Sequence, residues 1–313
     1  MNTRMRDTAG MLDITPRRRA GYIVLLGVWL FSVGCIGGLE SRSKVKDLRF
    51  LGLRADPPEI IISSADDPIP PFDVTALLVD PSGTVISAPL MVWACPPTQS
   101  GRCDNSEQRR LVHESTASIG DVTVSIQLDL AFMTKLYEAD KYKGLGGLTV
   151  LLHWQFGPIA AAKLMVFGYP QPEGRQPNRN PAIADITFDG ETVFGPKPLN
   201  LPGDAEIEVI PTPVEGSQES YPLVTFTGEV RDERERIVYN WYATEGGFSP
   251  DESGGRKGIL GSGETDVDPK TTWNSPDDYT GEVTFWVVIR DERGGSSWRS
   301  FTANVIPGAT VTK

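Results

Sequence analysis

The chain has 313 residues, of which 39% are hydrophobic and 23% charged, a composition typical of a folded globular protein and unlike that of a disordered chain. Its net charge is −11, and because residues 1–35 hold five arginines and two aspartates, the remainder carries −14. So acidic a surface repels phosphate backbones, which argues against a nucleic-acid partner. After residue 35 no apolar run is long enough to span a bilayer.

The N-terminal segment has the pattern of an export signal. Arg17–Arg19 precede an uncharged apolar run, residues 20–34, that is short for a membrane-spanning helix and ends at Gly34-Cys35. The segment resembles a bacterial lipoprotein signal, which implies a signal peptide over residues 1–35 and a lipid on Cys35. An uncleaved membrane anchor and a plain secretory signal with an incidental cysteine are the alternatives.

The resemblance also implies a location. Acyl chains on Cys35 would hold the protein on a membrane, because each buried CH2 group contributes about 0.8 kcal/mol. Ile36 follows the cysteine in place of an aspartate, and in the sorting rule of some bacteria this directs a lipoprotein to the outer membrane. Residues 36–47 are small and polar, so we expect a tether there.

Two further cysteines lie close together. Cys95 and Cys103 flank a short loop rich in Pro and Gly. In an oxidising compartment such a pair predicts a disulfide, and no neighbouring histidine or third cysteine favours a metal site.

Alternating apolar and polar residues predict antiparallel strands in two groups. For the first domain, residues 48–168, we expect strands over 72–79, 90–95, 122–128, 148–156 and 163–167, with one short helix over 131–142. A linker is expected at residues 169–181, which contain four prolines and no aliphatic residue. For the second domain, residues 182–307, we expect strands over 182–188, 205–210, 223–231, 237–243, 283–291 and 298–305.

Three motifs in the second domain carry a family resemblance. The strand and turn at 239–249, the segment 272–276 and the strand with a Gly-rich turn at 287–295 resemble PKD-like and related immunoglobulin-like domains. This implies an all-β fold of two immunoglobulin-like antiparallel sandwiches behind the signal peptide, as in bacterial envelope lipoproteins. Such folds host many functions and specify none.

Strand periodicity divides the aromatic residues of the second domain between two faces. Trp241 falls on the face expected to be the core, whereas Tyr242, Trp286 and Trp298 fall on the opposite face of adjacent strands. An outward aromatic patch suits a glycan or protein ligand, so these three residues are the candidate binding face. The alternative is that the other domain or a loop covers them.

Motifs for catalysis are sparse. His113 and His153 are the two histidines, and neither stands near a nucleophile or metalloprotease signature. Carboxylates fall in loops at 66–67, 251–252, 266–268 and 277–278, where we expect at most weak calcium binding, no dedicated metal site and no other cofactor.

These patterns favour a lipid-anchored envelope protein with a non-catalytic structural or interaction role and an envelope protein or polysaccharide as partner. A carbohydrate-binding or adhesion module is the alternative, and a hydrolase is the third reading.

Overall fold

The computed structural model describes residues 41–64, 67–141, 147–225, 227–259 and 262–308, without the side chains of residues 257–265. Cys35 and the proposed signal peptide lie outside the described residues. Residues 41–313 form one compact unit. The regular secondary structure of the described residues is almost entirely β, as the alternating sequence pattern predicts.

The first sandwich has two facing sheets and one helix. Its three-stranded sheet has the order β1-β3-β6 and its five-stranded sheet the order β2-β8-β7-β4-β5. The strands are β1 Arg49–Asp56, β2 Glu59–Ile61, β3 Phe72–Val79, β4 Ser87–Cys95, β5 Arg110–Ser118, β6 Gly120–Ile126, β7 Leu148–Phe156 and β8 Ile159–Gly168.

The inward residues of both sheets build the first core around Trp154 and Phe156, which are fully buried. The helix α1, Leu130–Ala139, closes one end and buries Met133 and Leu136. Asp129 caps it, because its carboxylate accepts a hydrogen bond from the Phe132 amide at 2.7 Å. The expected short helix is therefore confirmed with bounds shifted by one to three residues.

The second sandwich has sheets of the order β10-β9-β12-β20-β16 and β11-β22-β21-β15-β17, with two separate hairpins, β13-β14 and β18-β19. Its strands are β9 Ile183–Phe188, β10 Glu191–Thr192, β11 Leu199–Pro202, β12 Glu206–Pro213, β13 Ser220–Val224, β14 Val230–Arg234, β15 Val238–Ala243, β16 Gly247–Ser249, β17 Glu252–Gly254, β18 Arg256–Ile259, β19 Ser262–Asp266, β20 Thr271–Asn274, β21 Gly281–Arg290 and β22 Ser296–Ile306.

The second core is aromatic. Trp241 and Trp273 have no exposed surface, and the ring of Phe285 contacts Trp273 edge-on at 5.1 Å and stacks on Phe301 at 5.1 Å. The indole N–H of Trp241 donates to the Ser253 hydroxyl at 2.8 Å, which satisfies its polar atom inside the core. The prediction that Trp241 is a core residue is confirmed.

Both sandwiches share the immunoglobulin-like strand order. In each, a short early strand (β2 or β11) pairs in parallel with the last strand (β8 or β22), which pairs with the strand before it. That strand pairs in turn with a central strand, β4 or β15, and β5 or β17 completes the sheet. The opposite sheet is β1-β3-β6 in the first sandwich and β10-β9-β12-β20-β16 in the second. The all-β expectation of two antiparallel sandwiches is confirmed.

Two expected segments differ locally. Residues 223–231, predicted as one strand, fold into the hairpin β13-β14, with Leu223 opposite Arg231. Between the expected strands 237–243 and 283–291, where no strand was predicted, residues 249–269 contain β17, β18 and β19. In both segments turn-forming residues interrupt the sequence. Each strand between the turns is therefore too short for its alternation of apolar and polar residues to be visible.

Parts of the proposed tether and linker are packed against the sandwiches. Ser43 and Val45 are fully buried, and residues 43–45 add a short parallel bridge to Ala243 at the end of β15 that β17 does not cover. In the linker, Asn178 is only 2% exposed. Composition suggested loose segments at both places, but backbone hydrogen bonds and buried side chains fix them.

Candidate functional site

The three aromatic residues of the predicted binding face lie at the junction of the two sandwiches. Periodicity placed them correctly on the outer face of β15, β21 and β22, where Tyr242 pairs with Trp286 and Val288 with Trp298. However, the sheet β1-β3-β6 covers this face, leaving Trp286 8% exposed and packing Tyr242 and Trp298 against Leu51 and Leu77. The expectation of an open aromatic platform is wrong, because the other sandwich buries it.

Where the two sandwiches diverge, a groove with a volume of about 800 Å³ opens at one end of the junction. Its floor is apolar and includes Trp286, Val45 and Leu78, which are all buried. Ile119 forms a lip and keeps 38% of its surface exposed. One residue of the predicted face, Trp286, thus contributes to a concave site between the sandwiches.

Polar side chains line the rim of the groove. Thr244, Thr284 and Glu282 offer hydroxyl and carboxylate groups, and the Tyr279 hydroxyl donates to the Glu282 carbonyl at 2.7 Å. A concave apolar floor with a few polar groups around it is typical of ligand sites.

Two carboxylates of the groove are already engaged in structural bonds. Asp80 accepts hydrogen bonds from the Ser82 hydroxyl at 2.5 Å and the Val85 amide at 2.7 Å, and these bonds lower the pKa of its carboxyl. Glu245 forms an ion pair with Lys44 at 2.5 Å. Asp80 therefore holds a turn, and Glu245 anchors the segment that carries Val45.

The two histidines lie away from this groove on strands that flank β4. His113 bonds the Ser115 hydroxyl at 2.8 Å. His153 is half-buried and lies against the Trp93 ring at 5.6 Å; burial lowers its pKa. Neither histidine lines the groove.

The predicted disulfide is present. Cys95 and Cys103 are joined with their Cα atoms 5.7 Å apart, and both residues are 2% exposed. They pack with Leu151 and Trp93 on the outer face of the five-stranded sheet. The bond pins the intervening loop over that face.

Two of the loop carboxylates considered for calcium, those of Asp67 and Asp266, are bonded to other groups. Asp67 accepts the amides of Ser63 and Ser64, which lowers its pKa, and Asp266 pairs with Arg234 and Arg256. Among the described residues, no group of three or more His, Cys, Asp or Glu side chains is placed to hold a metal ion. In the same part of the chain, no helix has the length and apolarity to cross a membrane.

Most residues of the groove were not predicted from the sequence to belong to a site. In the sequence Asp80 is recognisable only as the first residue of a turn. Ile119, Glu245 and Tyr279 belong to no motif that indicates a binding site. They meet because two separate sandwiches pack together, a relationship that periodicity within one strand does not encode.

No protein-family model and no curated protein matches the chain. Among solved structures it is similar to a red sea bream transglutaminase, with 12% identity and a TM-score of 0.24 over 85% of this chain and 32% of that one. It is also similar to the Yersinia pseudotuberculosis adhesin InvE, with 10% identity and a TM-score of 0.20 over 81% of this chain and 58% of that one.

A third similar structure is invasin, a bacterial integrin-binding protein, with 10% identity and a TM-score of 0.20 over 82% of this chain and 40% of that one. The chain therefore spans less than two thirds of the length of each of these proteins. Identities and TM-scores this low support no inference about what the chain does.

Proposed function

We propose that this protein is a non-catalytic interaction protein of the bacterial cell envelope, held at a membrane by a lipid on Cys35, and that it binds its partner in the groove between the sandwiches. The observation that carries the proposal is the groove itself, a concave site of about 800 Å³ with a buried apolar floor and a polar rim. Its walls belong to two sandwiches that pack directly on each other beneath it.

The bonding of the groove carboxylates supports a binding role over a catalytic one. A general acid working at neutral pH needs a raised pKa. The pKa of Asp80 is instead lowered by its hydrogen bonds, and Glu245 is engaged by Lys44. Asp80 is therefore suited to shaping the site rather than to transferring protons, and Glu245 anchors the segment that carries Lys44.

The disulfide supports a location outside the cytoplasm, because such bonds persist in oxidising compartments and are rare where thiols are kept reduced. Attachment through Cys35 rests on the sequence alone. The test is the mass and membrane partitioning of the wild type beside Cys35→Ala in a bacterial host. Acyl mass and membrane recovery of the wild type alone would support the anchor, and equal behaviour of both would refute it.

The groove is tested by site-specific photocrosslinking in the cells that produce the protein. Benzoylphenylalanine replaces Ile119 at the lip, and the control replaces Ile210 on β12, which is equally exposed at 38%. We expect a discrete protein adduct from Ile119 and none from Ile210. Identical adduct patterns from both positions, or none from either, would count against a protein partner in the groove.

The polysaccharide alternative has its own measurement. Cosedimentation of the purified protein with isolated peptidoglycan sacculi, wild type beside Thr284→Arg, tests whether the groove holds a glycan. Retention of the wild type that the arginine abolishes would assign a polysaccharide partner. Equal retention of both would exclude the groove as its site.

A further inference from the structure

At the far end of β21 from the groove, charged groups from both sandwiches meet at the side chain of Arg293. Its guanidinium contacts Glu59 of the first sandwich at 2.8 Å, and Glu235 and Glu219 of the second at 3.2 and 3.6 Å. The side chains of Arg293, Glu59 and Glu235 are 11, 3 and 0% exposed, so these ion pairs are shielded from solvent. Arg293 therefore joins one carboxylate across the junction to two on its own side.

The segment between the sandwiches joins the same cluster. Arg175 pairs with Glu59, whose other oxygen accepts the Asn178 amide at 2.9 Å. The Asn178 side chain donates to Asp291 at 3.1 Å. On the first sandwich, Lys163 donates to the Gly294 carbonyl in the turn after β21. The cluster thus binds both sandwiches and the connecting segment together.

The buried charges of this cluster do not balance. In the part of the chain that the structure describes, four carboxylates, Glu59, Glu219, Glu235 and Asp291, face three shielded cations, Arg175, Arg293 and Lys163. Arg179 also pairs with Glu219, but its side chain is 74% exposed and solvent screens its charge. Uptake of one proton by a carboxyl group would remove the excess negative charge from this poorly solvated region.

Glu235 is the carboxyl best placed to take that proton. Glu59 is bonded by two arginines and a backbone amide, and Asp291 accepts the Arg293 and Gly295 amides besides the Asn178 side chain. Burial raises the pKa of Asp291, but its three hydrogen bonds oppose that rise. Glu235 has Arg293 and one backbone amide, that of Glu219, and no exposed surface. Its neighbour Arg236 is paired with Glu292.

We propose that the Arg293 cluster is a proton-controlled latch between the two sandwiches, in which a proton on Glu235 tightens the junction and its loss loosens it. Glu59, Glu219 and Glu235 share the single positive charge of the Arg293 guanidinium. When Glu235 is neutral, more of the attraction of Arg293 is directed to Glu59 across the junction. When Glu235 is ionised, it competes for that guanidinium and adds an uncompensated buried charge.

The titration of Glu235 agrees with this direction. Burial raises the pKa of Glu235 from 4.5 to about 7, and the nearby Asp291 and Glu219 carboxylates add to the shift, against Arg293. Between these pH values the folded protein holds a proton that the unfolded chain releases, so folded-state stability decreases as pH rises towards 7. The latch is therefore expected to loosen near neutral pH rather than in acid.

Distance measurements between spin labels test the latch. Labels are placed on exposed strands of the two sandwiches, at Ser115→Cys in β5 and Glu206→Cys in β12, in the full chain carrying Cys35→Ala. Cys95 and Cys103 do not react because they form a disulfide. We expect a narrow distance distribution at pH 5.5 and a broader one at pH 8.5, with a midpoint near pH 7.

Glu235→Gln mimics the protonated side chain and should keep the distribution narrow at both pH values. The matched control is Glu229→Gln in the same hairpin region, where Glu229 is 57% exposed and pairs only locally with Arg231, and it should broaden like the wild type. A wild-type distribution of constant width overturns the proposal without any variant at Glu235. Broadening of Glu235→Gln equal to that of the wild type overturns the role of Glu235.

Discussion

The indole ring of Trp298 lies directly on the backbone of Gly52. A Cβ atom at Gly52 would stand 3.0 Å from Cε3 and 3.2 Å from Cζ3 of that ring. The ring is held from its other sides, since Arg54 stacks over it at 5.3 Å and its N–H donates to Asp121 at 3.1 Å. The absent side chain of Gly52 is therefore what lets β22 of one sandwich approach β1 of the other.

We predict that Gly52→Ala destabilises the protein by about 1–3 kcal/mol, because the ring has little room to move and overpacked sites have costs of this size. Urea unfolding followed by circular dichroism measures the loss. Gly203→Ala is the matched control, since a Cβ there meets its nearest atoms at an ordinary 3.5 Å. Equal losses for the two variants would contradict the close approach described above.

Removal of the guanidinium at the centre of the ionic cluster should be among the most damaging single changes. Among the described residues, Arg293→Met leaves Glu59 with Arg175 as its one ion-pair partner and leaves Glu235 with none. Breaking a buried pair in this way costs about 3–5 kcal/mol. The control is Arg231→Met, whose side chain is 54% exposed and should cost less than about 1 kcal/mol. Chemical unfolding at fixed pH compares the two, and a small effect at Arg293 would mean that the cluster contributes little to stability.

The deprotonation of Lys163 should be visible in the way the free energy of unfolding changes with pH. Burial lowers the pKa of this ammonium from 10.5 to about 8 in the folded protein. Between those values the unfolded chain binds more protons, so the free energy of unfolding should rise with pH by up to about 3 kcal/mol. Lys163→Met should lack this rise, whereas Lys270→Met, at a side chain 52% exposed, should keep it.

The comparison is best made between pH 8 and 10. Above pH 10 a second group contributes, because burial raises the pKa of Tyr239 to about 12. A tyrosine that keeps its proton in the folded state makes the free energy of unfolding fall as pH rises from 10 to 12. The difference between wild type and Lys163→Met removes this shared contribution. A wild type and a Lys163→Met variant with parallel pH profiles would refute the assignment.

The disulfide should contribute measurably to the free energy of unfolding, although the loop that it closes is short. Closing a loop with a sequence separation of 8 predicts a loss of about 2–3 kcal/mol for the double variant Cys95→Ala, Cys103→Ala. Urea unfolding with and without reductant tests this. Because both cysteines are 2% exposed, we expect the native wild type to resist reduction until it unfolds. Rapid reduction of the native protein would show that the bond is accessible.

Strand periodicity predicted much of the fold and one part of the candidate site. The alternation in β15 assigned Trp241 to the core, and it is buried there together with Tyr239 and Ala243 on the same face. The same alternation placed Tyr242 and Trp286 on the opposite face, which is correct, and implied that this face is open, which is wrong. Periodicity records which side chains share a face but contains no information on what covers that face.

The ionic cluster and the groove were not predictable in the same way. Glu59 and Arg293 are 234 positions apart, and neither belongs to a sequence motif that points to the other. The signal that could have drawn attention to them was weak. Arg293 follows an Asp in a Gly-rich turn, and the linker that bonds to Glu59 has a composition that usually indicates flexibility.

By itself the sequence determined the local structure of this protein. Period-two alternation and turn residues produce the strands of two antiparallel sandwiches, and the spacing of Cys95 and Cys103 allows one loop to be closed. Only the tertiary structure decided which outer faces are buried, because the fit of Trp298 on Gly52 depends on the shapes of two surfaces far apart in the chain. That contact between sandwiches turns a predicted aromatic platform into an interface, and it creates the groove and the shielded Arg293 cluster at its two ends.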